Sequence, residues 1–303
     1  MEHAGLVVLR SPSLLALVDP AHGGEVLELT DLRSGAGLLG RVPFAALPPT
    51  VGAMAEPDWV ASYRGGWQIV APNAGAASAG HPVHGAASTE PWAIEELGER
   101  SIRMRWEGFG LIAVRALTLD DDAVEAAVEW RSAGPEPAPV VIAEHLTVGL
   151  AVLDPEVRLS LPGGRALELP DDQARDLAEA LPWPDAALLD GGRERADGWV
   201  LAETGSRYLV VADLPAGRLE ALNPRSGLGL LLEWDIAALP YLWLWREARA
   251  SGGQWRERTE ILGLEPASVP HGAGIAEAIR GGHAAWPTAE RPFRHRLRVS
   301  PIR

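Results

Sequence analysis

A period of two is the feature that most restricts how this chain can fold. In "SIRMRWEG" (101–108), Ile102, Met104 and Trp106 alternate with Arg103 and Arg105. In "AVEAAVEWR" (123–131), Val124, Ala126, Val128 and Trp130 alternate with Glu125, Ala127, Glu129 and Arg131. Successive side chains of a strand point to opposite faces, so each segment offers one apolar face and one wet face. The run "TLDDDAV" before the second segment reads as a hairpin tip, because Asp tolerates turn geometry. Further strands are expected at 5–10, 14–19, 24–30, 111–119, 139–150, 156–161, 198–203, 207–213, 218–222, 228–234, 241–247, 257–266 and 293–300. Gly, Pro and Asp clusters separate them. Many one-faced strands with few helices between them must cover each other, so an all-β fold follows: a large antiparallel sandwich with a few short helices.

Two helices are expected. "DDQARDLAEAL" (171–181) has Asp at its start and Pro182 just past its end, and "AGIAEAIRGG" (273–282) closes on a Gly pair that suits a C-cap. Residues 162–198 are rich in Pro, Gly and Asp and read as a loop-rich excursion from one domain spanning 1–303. Sandwiches of this length occur as single domains.

Composition narrows the chemistry. The chain has no Cys and no Lys; all 27 basic residues are Arg. Thiolate nucleophiles, Cys-ligated zinc, Schiff-base chemistry and the P-loop lysine are therefore excluded. An acid or base near neutral pH must come from Asp, Glu, His or Tyr. The net charge of −14 argues against a nucleic-acid partner. No run of 18 apolar residues is present, so no membrane span is expected. At the start, Glu2 stands where a leader would want positive charge and Arg10 interrupts the apolar stretch, so the expected location is the cytoplasm.

Five segments carry candidate chemistry. "HPVHGAASTEPW" (81–92) holds His81 and His84, readable as a metal loop, a sugar site or a polar turn. Pro82 and Gly85 oppose the helix that a strong H-E-x-x-H zinc motif needs, so no metal is assigned. In "VVIAEHLTVGL" (140–150) strand parity sets Glu144 and His145 on opposite faces, and one of them is expected to enter a cleft. The bland alternative is a core histidine held by a backbone carbonyl. In "ILGLEPASVP" (261–270) Gly263 leaves room beside Glu265, whose pKa is expected to be raised; an ion pair with a nearby Arg is the alternative. "PYLWLWRE" (240–247) lines up Tyr241, Trp243 and Trp245 on one face. "RGGWQIVAPNAG" (64–75) reads as a turn-rich stretch holding Arg64, Trp67, Gln68 and Asn73, a supply of rings and polar groups for hydroxyls.

In this order, "RGGWQIVAPNAG", "HPVHGAASTEPW", "AEHLTVG", "LEWDIAALPYLWLWRE" and "ILGLEPASVPHG" resemble the aldose 1-epimerase (galactose mutarotase-like) family, and in particular its uncharacterised bacterial-type members. They span residues 64–272. The resemblance implies a β-supersandwich with a cleft on one sheet. It implies an isomerase that interconverts sugar anomers, with Glu265 as base, His145 as acid and His84 binding the sugar. Arg64 and Asn73 would bind hydroxyls, and Trp67 and Trp245 would stack on the ring. It implies no cofactor, a small-molecule sugar or sugar phosphate as partner, and a monomer or homodimer. "PNAGAAS" stands where galactose-specific members have an Asn-Arg pair, and no mid-chain substrate-binding aspartate is assigned. A carbohydrate-binding or regulatory protein without turnover is the alternative on the same fold.

Overall fold

A computed structural model describes residues 5–42, 50–170, 173–201, 204–250, 257 and 259–303. The described strands form two sheets, one of 13 strands and one of 9. Pairing is antiparallel throughout, apart from the parallel contact between Arg165–Glu168 and Asp185–Ala187. The α-helices among the described residues are Glu56–Ser62, Leu150–Leu153 and Ile275–Arg280.

The two apolar faces meet to make the main core. Trp67, Leu146 and Leu264 project from the larger sheet against Met104, Trp130 and Leu297 of the smaller one. Ile102, Met104 and Trp106 are all buried, as are Val124, Ala126, Val128 and Trp130, in line with the alternation of their segments. Each large apolar side chain so buried contributes about 1.5–3 kcal/mol.

Most expected strands are present within a residue or two of their bounds, and Leu14–Asp19, Leu111–Leu119 and Arg218–Leu222 match the expected ranges. Four readings are corrected. The helix expected at 171–181 is absent from its described part, which holds only a 3-10 turn at Leu177–Glu179; residues 171 and 172 lie outside the described residues. Tertiary pairing overrides the local helix signal here. Leu181–Pro182 pairs with Arg165 and Ala166 at the sheet edge, and Arg175 donates to the carbonyl of Glu168 at 2.9 Å and to the carboxylate of Glu179. The strand expected at 139–150 is limited to Ala143–Thr147 and gives way to the helical turn Leu150–Leu153. The stretch 64–75 is not all turn: Trp67–Val70 is a strand inside the larger sheet. The helix Glu56–Ser62 is not among the expected elements. Residues 162–198 add the short strands Arg165–Glu168, Leu181–Pro182, Asp185–Ala187 and Arg193–Arg195 to one end of the larger sheet.

The outer face of the larger sheet is roofed by loops. One anchor of this roof is Gly75, at φ +92°, where an added Cβ would lie 1.8 Å from the carbonyl oxygen of Gly272. The Ala76 amide donates to that same oxygen at 2.7 Å, which ties the 73–85 loop to the chain entering Ile275–Arg280. Gly75→Ala is expected to cost about 2–4 kcal/mol from left-handed strain plus overpacking. Gly35→Ala, at φ +75° with nothing within 4 Å, is expected to cost only about 1 kcal/mol. Denaturant midpoints of the two variants decide it, and equal losses would refute the close-approach account.

Candidate active site

Four adjacent strands of the larger sheet build the site: Trp67–Val70, Ala143–Thr147, Glu260–Ala267 and Tyr241–Ala248. The register sets His145 opposite Gln68 on one side. On the other side Ala143 pairs with Ala267 and Thr147 with Gly263, which brings His145 level with Glu265. Glu265 in turn pairs with Trp243. Gln68, His145, Glu265 and Trp243 thus form one row across the outer face. His145 Nε2 lies 3.3 Å from Glu265 Oε1. An added Cβ at Gly263 would sit 2.6 Å from that carboxylate oxygen, so the glycine makes room for the acid.

Rings close over the pair. Tyr63, Trp245, Trp59 and His84 have centroids 5.3, 5.8, 6.4 and 6.4 Å from that of His145. His145 is only 2% exposed and Glu265 only 3%. Burial disfavours charge on both. It pushes Glu265 up to about 8 and His145 down to about 4. His84 is held at about 3, first by burial and then by the neighbouring His145. Near neutral pH the unliganded pair is therefore a protonated carboxyl facing a neutral imidazole. That state carries the same number of protons as a carboxylate facing an imidazolium, and one transfer across the 3.3 Å contact interconverts them.

Glu144 faces the other way, into the inter-sheet core. It accepts from Trp67 Nε1 at 2.7 Å and meets His295 Nε2 at 2.8 Å and Arg115 Nη2 at 3.3 Å. Burial alone would raise its pKa. The Arg115 charge and the bonds from His295 and Trp67 outweigh burial and hold it below the usual carboxylate range.

Of the residues expected at the site, the structure gathers His145, Glu265, His84 and Trp245. Three others lie differently. Trp67 is fully buried on the inner face, with its indole N–H on Glu144, so it cannot stack on a ligand of the outer face. Asn73 is also fully buried and its amide is taken up by backbone: it donates to Ala76 O at 2.8 Å and Pro82 O at 2.9 Å, and accepts from Ile275 N at 2.6 Å. It holds the roof loops together rather than offering an amide to hydroxyls. Arg64 is ion-paired to Asp19 at 2.8 Å and to Glu25, which accepts from Gln68 Nε2 at 2.7 Å. Its charge is matched within this buried cluster beside the row. His81 stacks on Phe109 at 4.2 Å. Among the described residues no group of three or more His, Asp or Glu could hold a metal ion. A surface groove of about 720 Å³ lies elsewhere, on the outer face of the smaller sheet among Glu125, Glu129, Arg294 and Arg298. Its Arg294 and Arg298 are already paired with Glu129 and Asp120.

Sequence reasoning misses Trp59 and Tyr63. Both belong to the unexpected helix Glu56–Ser62 and its C-cap, spaced i, i+4 so that their rings stack at 4.9 Å. A signal for the helix exists in Pro57 of the first turn, flanked by Glu56 and Asp58.

No family model matches the chain, and no curated relative matches it. Solved structures do. The Slr1438 protein from Synechocystis sp. PCC 6803 superimposes with a TM-score of 0.71 at 18% identity, covering 98% of this chain and 95% of that one. A provisionally named aldose 1-epimerase from Escherichia coli K12 gives 0.67 at 14% identity, covering 98% of both chains. A galactose mutarotase related enzyme from Lactobacillus acidophilus gives 0.69 at 9% identity, covering 98% and 97%. Similarity this distant in sequence and this complete in coverage is a likeness of architecture: the chain has the galactose mutarotase-like β-sandwich fold.

Proposed function

We propose that the protein interconverts the anomers of a small sugar, as an aldose 1-epimerase-like isomerase, with Glu265 and His145 as its acid–base pair. One observation carries this reading: a carboxyl and an imidazole from separate strands converge to 3.3 Å on the outer face, among aromatic rings. Anomer interconversion requires a proton taken from the C1 hydroxyl and one given to the ring oxygen. The ring opens, the C1–C2 bond rotates, and closure occurs on the other face. Glu265 takes the first proton and His145 delivers the second, from the carboxylate–imidazolium form that one transfer within the pair creates. A burial-raised Glu and an imidazole are suited to this exchange near neutral pH. Trp245, partly exposed beside the pair, offers the ring that packs on the C–H face of the sugar, and His84 lies within reach of its hydroxyls.

A carbohydrate-binding protein without turnover is the second reading, favoured by the near-complete enclosure of the pair. Saturation-transfer NMR against free and phosphorylated sugars should identify the ligand class. With that ligand, activity is expected to survive exhaustive chelation and to be lost in His145→Ala. Loss on chelation, with recovery on adding a divalent metal, would contradict the proposed chemistry. Binding with no turnover in the wild type would favour the second reading.

A further inference from the structure

Tyr63 lies at the C-terminal end of the helix Glu56–Ser62, 1% exposed, with its ring packed on Trp59 and Trp245. Its hydroxyl touches two groups of the neighbouring strand. Oη is 3.4 Å from His145 Nδ1 and makes a short contact with Thr147 Oγ1. His145 and Thr147 are two apart on one strand and share its outer face. Tyr63 thus closes a line of side chains running Thr147, Tyr63, His145, Glu265.

We propose that Tyr63 is a positioning residue: it accepts the Nδ1 proton of His145 and donates its own O–H to Thr147, leaving Nε2 as the nitrogen that exchanges a proton across the site. The direction of the line follows from its far end. Near neutral pH the Glu265 carboxyl holds its proton, because burial pushes it up to about 8. A protonated carboxyl facing Nε2 needs an acceptor there, so the proton of the neutral ring sits on Nδ1. With its O–H engaged by Thr147, the Tyr63 oxygen presents only lone pairs to that proton. When Nε2 takes up the second proton, the same oxygen accepts from the imidazolium, which keeps the ring in place through the exchange. An orienting carboxylate would do the same in a charged catalytic triad. Burial raises the Tyr63 hydroxyl well above its ordinary value, so here the orienter is neutral. A neutral orienter does not offset the desolvation that holds His145 at about 4. The catalytic meaning of this arrangement rests on the anomerisation reading, but the tautomer itself does not.

The test is ¹⁵N–¹H correlation NMR on protein labelled at histidine, with His145 assigned by loss of its signals in His145→Gln. At pH 7 the wild type is expected to show a protonated Nδ1 and an unprotonated Nε2. Tyr63→Phe keeps the ring packing and removes the acceptor, so His145 is expected to become a mixture of tautomers while the other seven of the eight histidines keep their shifts. Should Tyr63→Phe fail to fold, Thr147→Val carries the test. It takes away the acceptor of the Tyr63 O–H, which then competes for Nδ1 against the Glu265 proton at Nε2, so His145 is again expected to become a mixture of tautomers. A wild-type His145 protonated on Nε2, or a His145 tautomer unmoved in both Tyr63→Phe and Thr147→Val, overturns the proposal whether or not the protein turns over a sugar. Given turnover, Tyr63→Phe is expected to lower kcat roughly 10-fold or more with KM held, since it disturbs the proton transfer rather than the sugar contacts.

Discussion

Glu265→Gln is expected to slow anomerisation by roughly 10²–10⁴-fold while sugar binding is largely kept. The amide preserves the shape of the carboxyl beside Gly263 but can neither take the C1 proton nor pass one to His145. The same change is expected to stabilise the fold at alkaline pH. Burial pushes the Glu265 carboxyl from its ordinary value of 4.5 up to about 8 in the folded state. Between those values the folded state holds a proton that the unfolded state has released, so this group's contribution to stability falls as pH rises through the window. The Gln variant has no such proton to lose. Its stability relative to the wild type is therefore expected to be near parity at pH 4.5–5 and several kcal/mol higher by pH 8.5. Denaturant midpoints at the two pH values read this directly. A variant that gains nothing at pH 8.5 would mean that the carboxyl ionises without penalty, contrary to its enclosure. A gain in stability accompanied by lost activity is the usual signature of a functional group held in an unfavourable environment.

Arg115→Met is expected to have the largest effect on folding, about 3–5 kcal/mol of lost stability. Arg115 is fully buried between the sheets, with its guanidinium 3.3 Å from Glu144 and 5.3 Å from the Trp67 ring centroid, and it also donates to Gly24 O at 3.2 Å. Removing it leaves the Glu144 carboxylate in an apolar core with only its contacts to His295 and Trp67. Replacing a buried pair as a whole costs far less than breaking it. Arg115→Met combined with Glu144→Gln is therefore expected to recover a large part of the loss. Unfolding midpoints for the two single variants and the double one check this by double-mutant cycle. A double variant as unstable as the sum of the singles would show that the two groups do not form one unit.

Strand parity alone makes half of the site legible in the sequence. Once 143–147 is a strand, Glu144 and His145 must part company. Glu144 enters the core with Arg115, and His145 reaches the outer face with Glu265. The spacing of Gly263 and Glu265 likewise points to an acid with room beside it. What parity does not supply is the partner of each face. Arg115 is an arginine at a core position of its strand, and nothing local marks it as the counterion of Glu144, 29 positions on. The site is misread where an element is misjudged. Reading 64–75 as a turn-rich stretch, with no strand at Trp67–Val70, misses the alternation that sends Trp67 inward and Gln68 outward. Overlooking Glu56–Ser62 hides Trp59 and Tyr63, two of the rings that enclose His145. The segment 171–181 carries real helix signals, but edge pairing of Leu181–Pro182 and the side-chain bonds of Arg175 take precedence over them.

If the Glu265–His145 pair moves the protons of anomerisation, the rate at which sugar anomers exchange must depend on Glu265. Magnetisation exchange between the α and β signals of a bound sugar's free pool measures that rate, with spontaneous exchange in the same buffer as the baseline. Wild-type protein is expected to raise the exchange rate well above the baseline, and Glu265→Gln, at a concentration that binds the sugar equally, to return it roughly 10²–10⁴-fold toward it. Exchange in the Glu265→Gln sample at the wild-type rate would show that Glu265 is not the base.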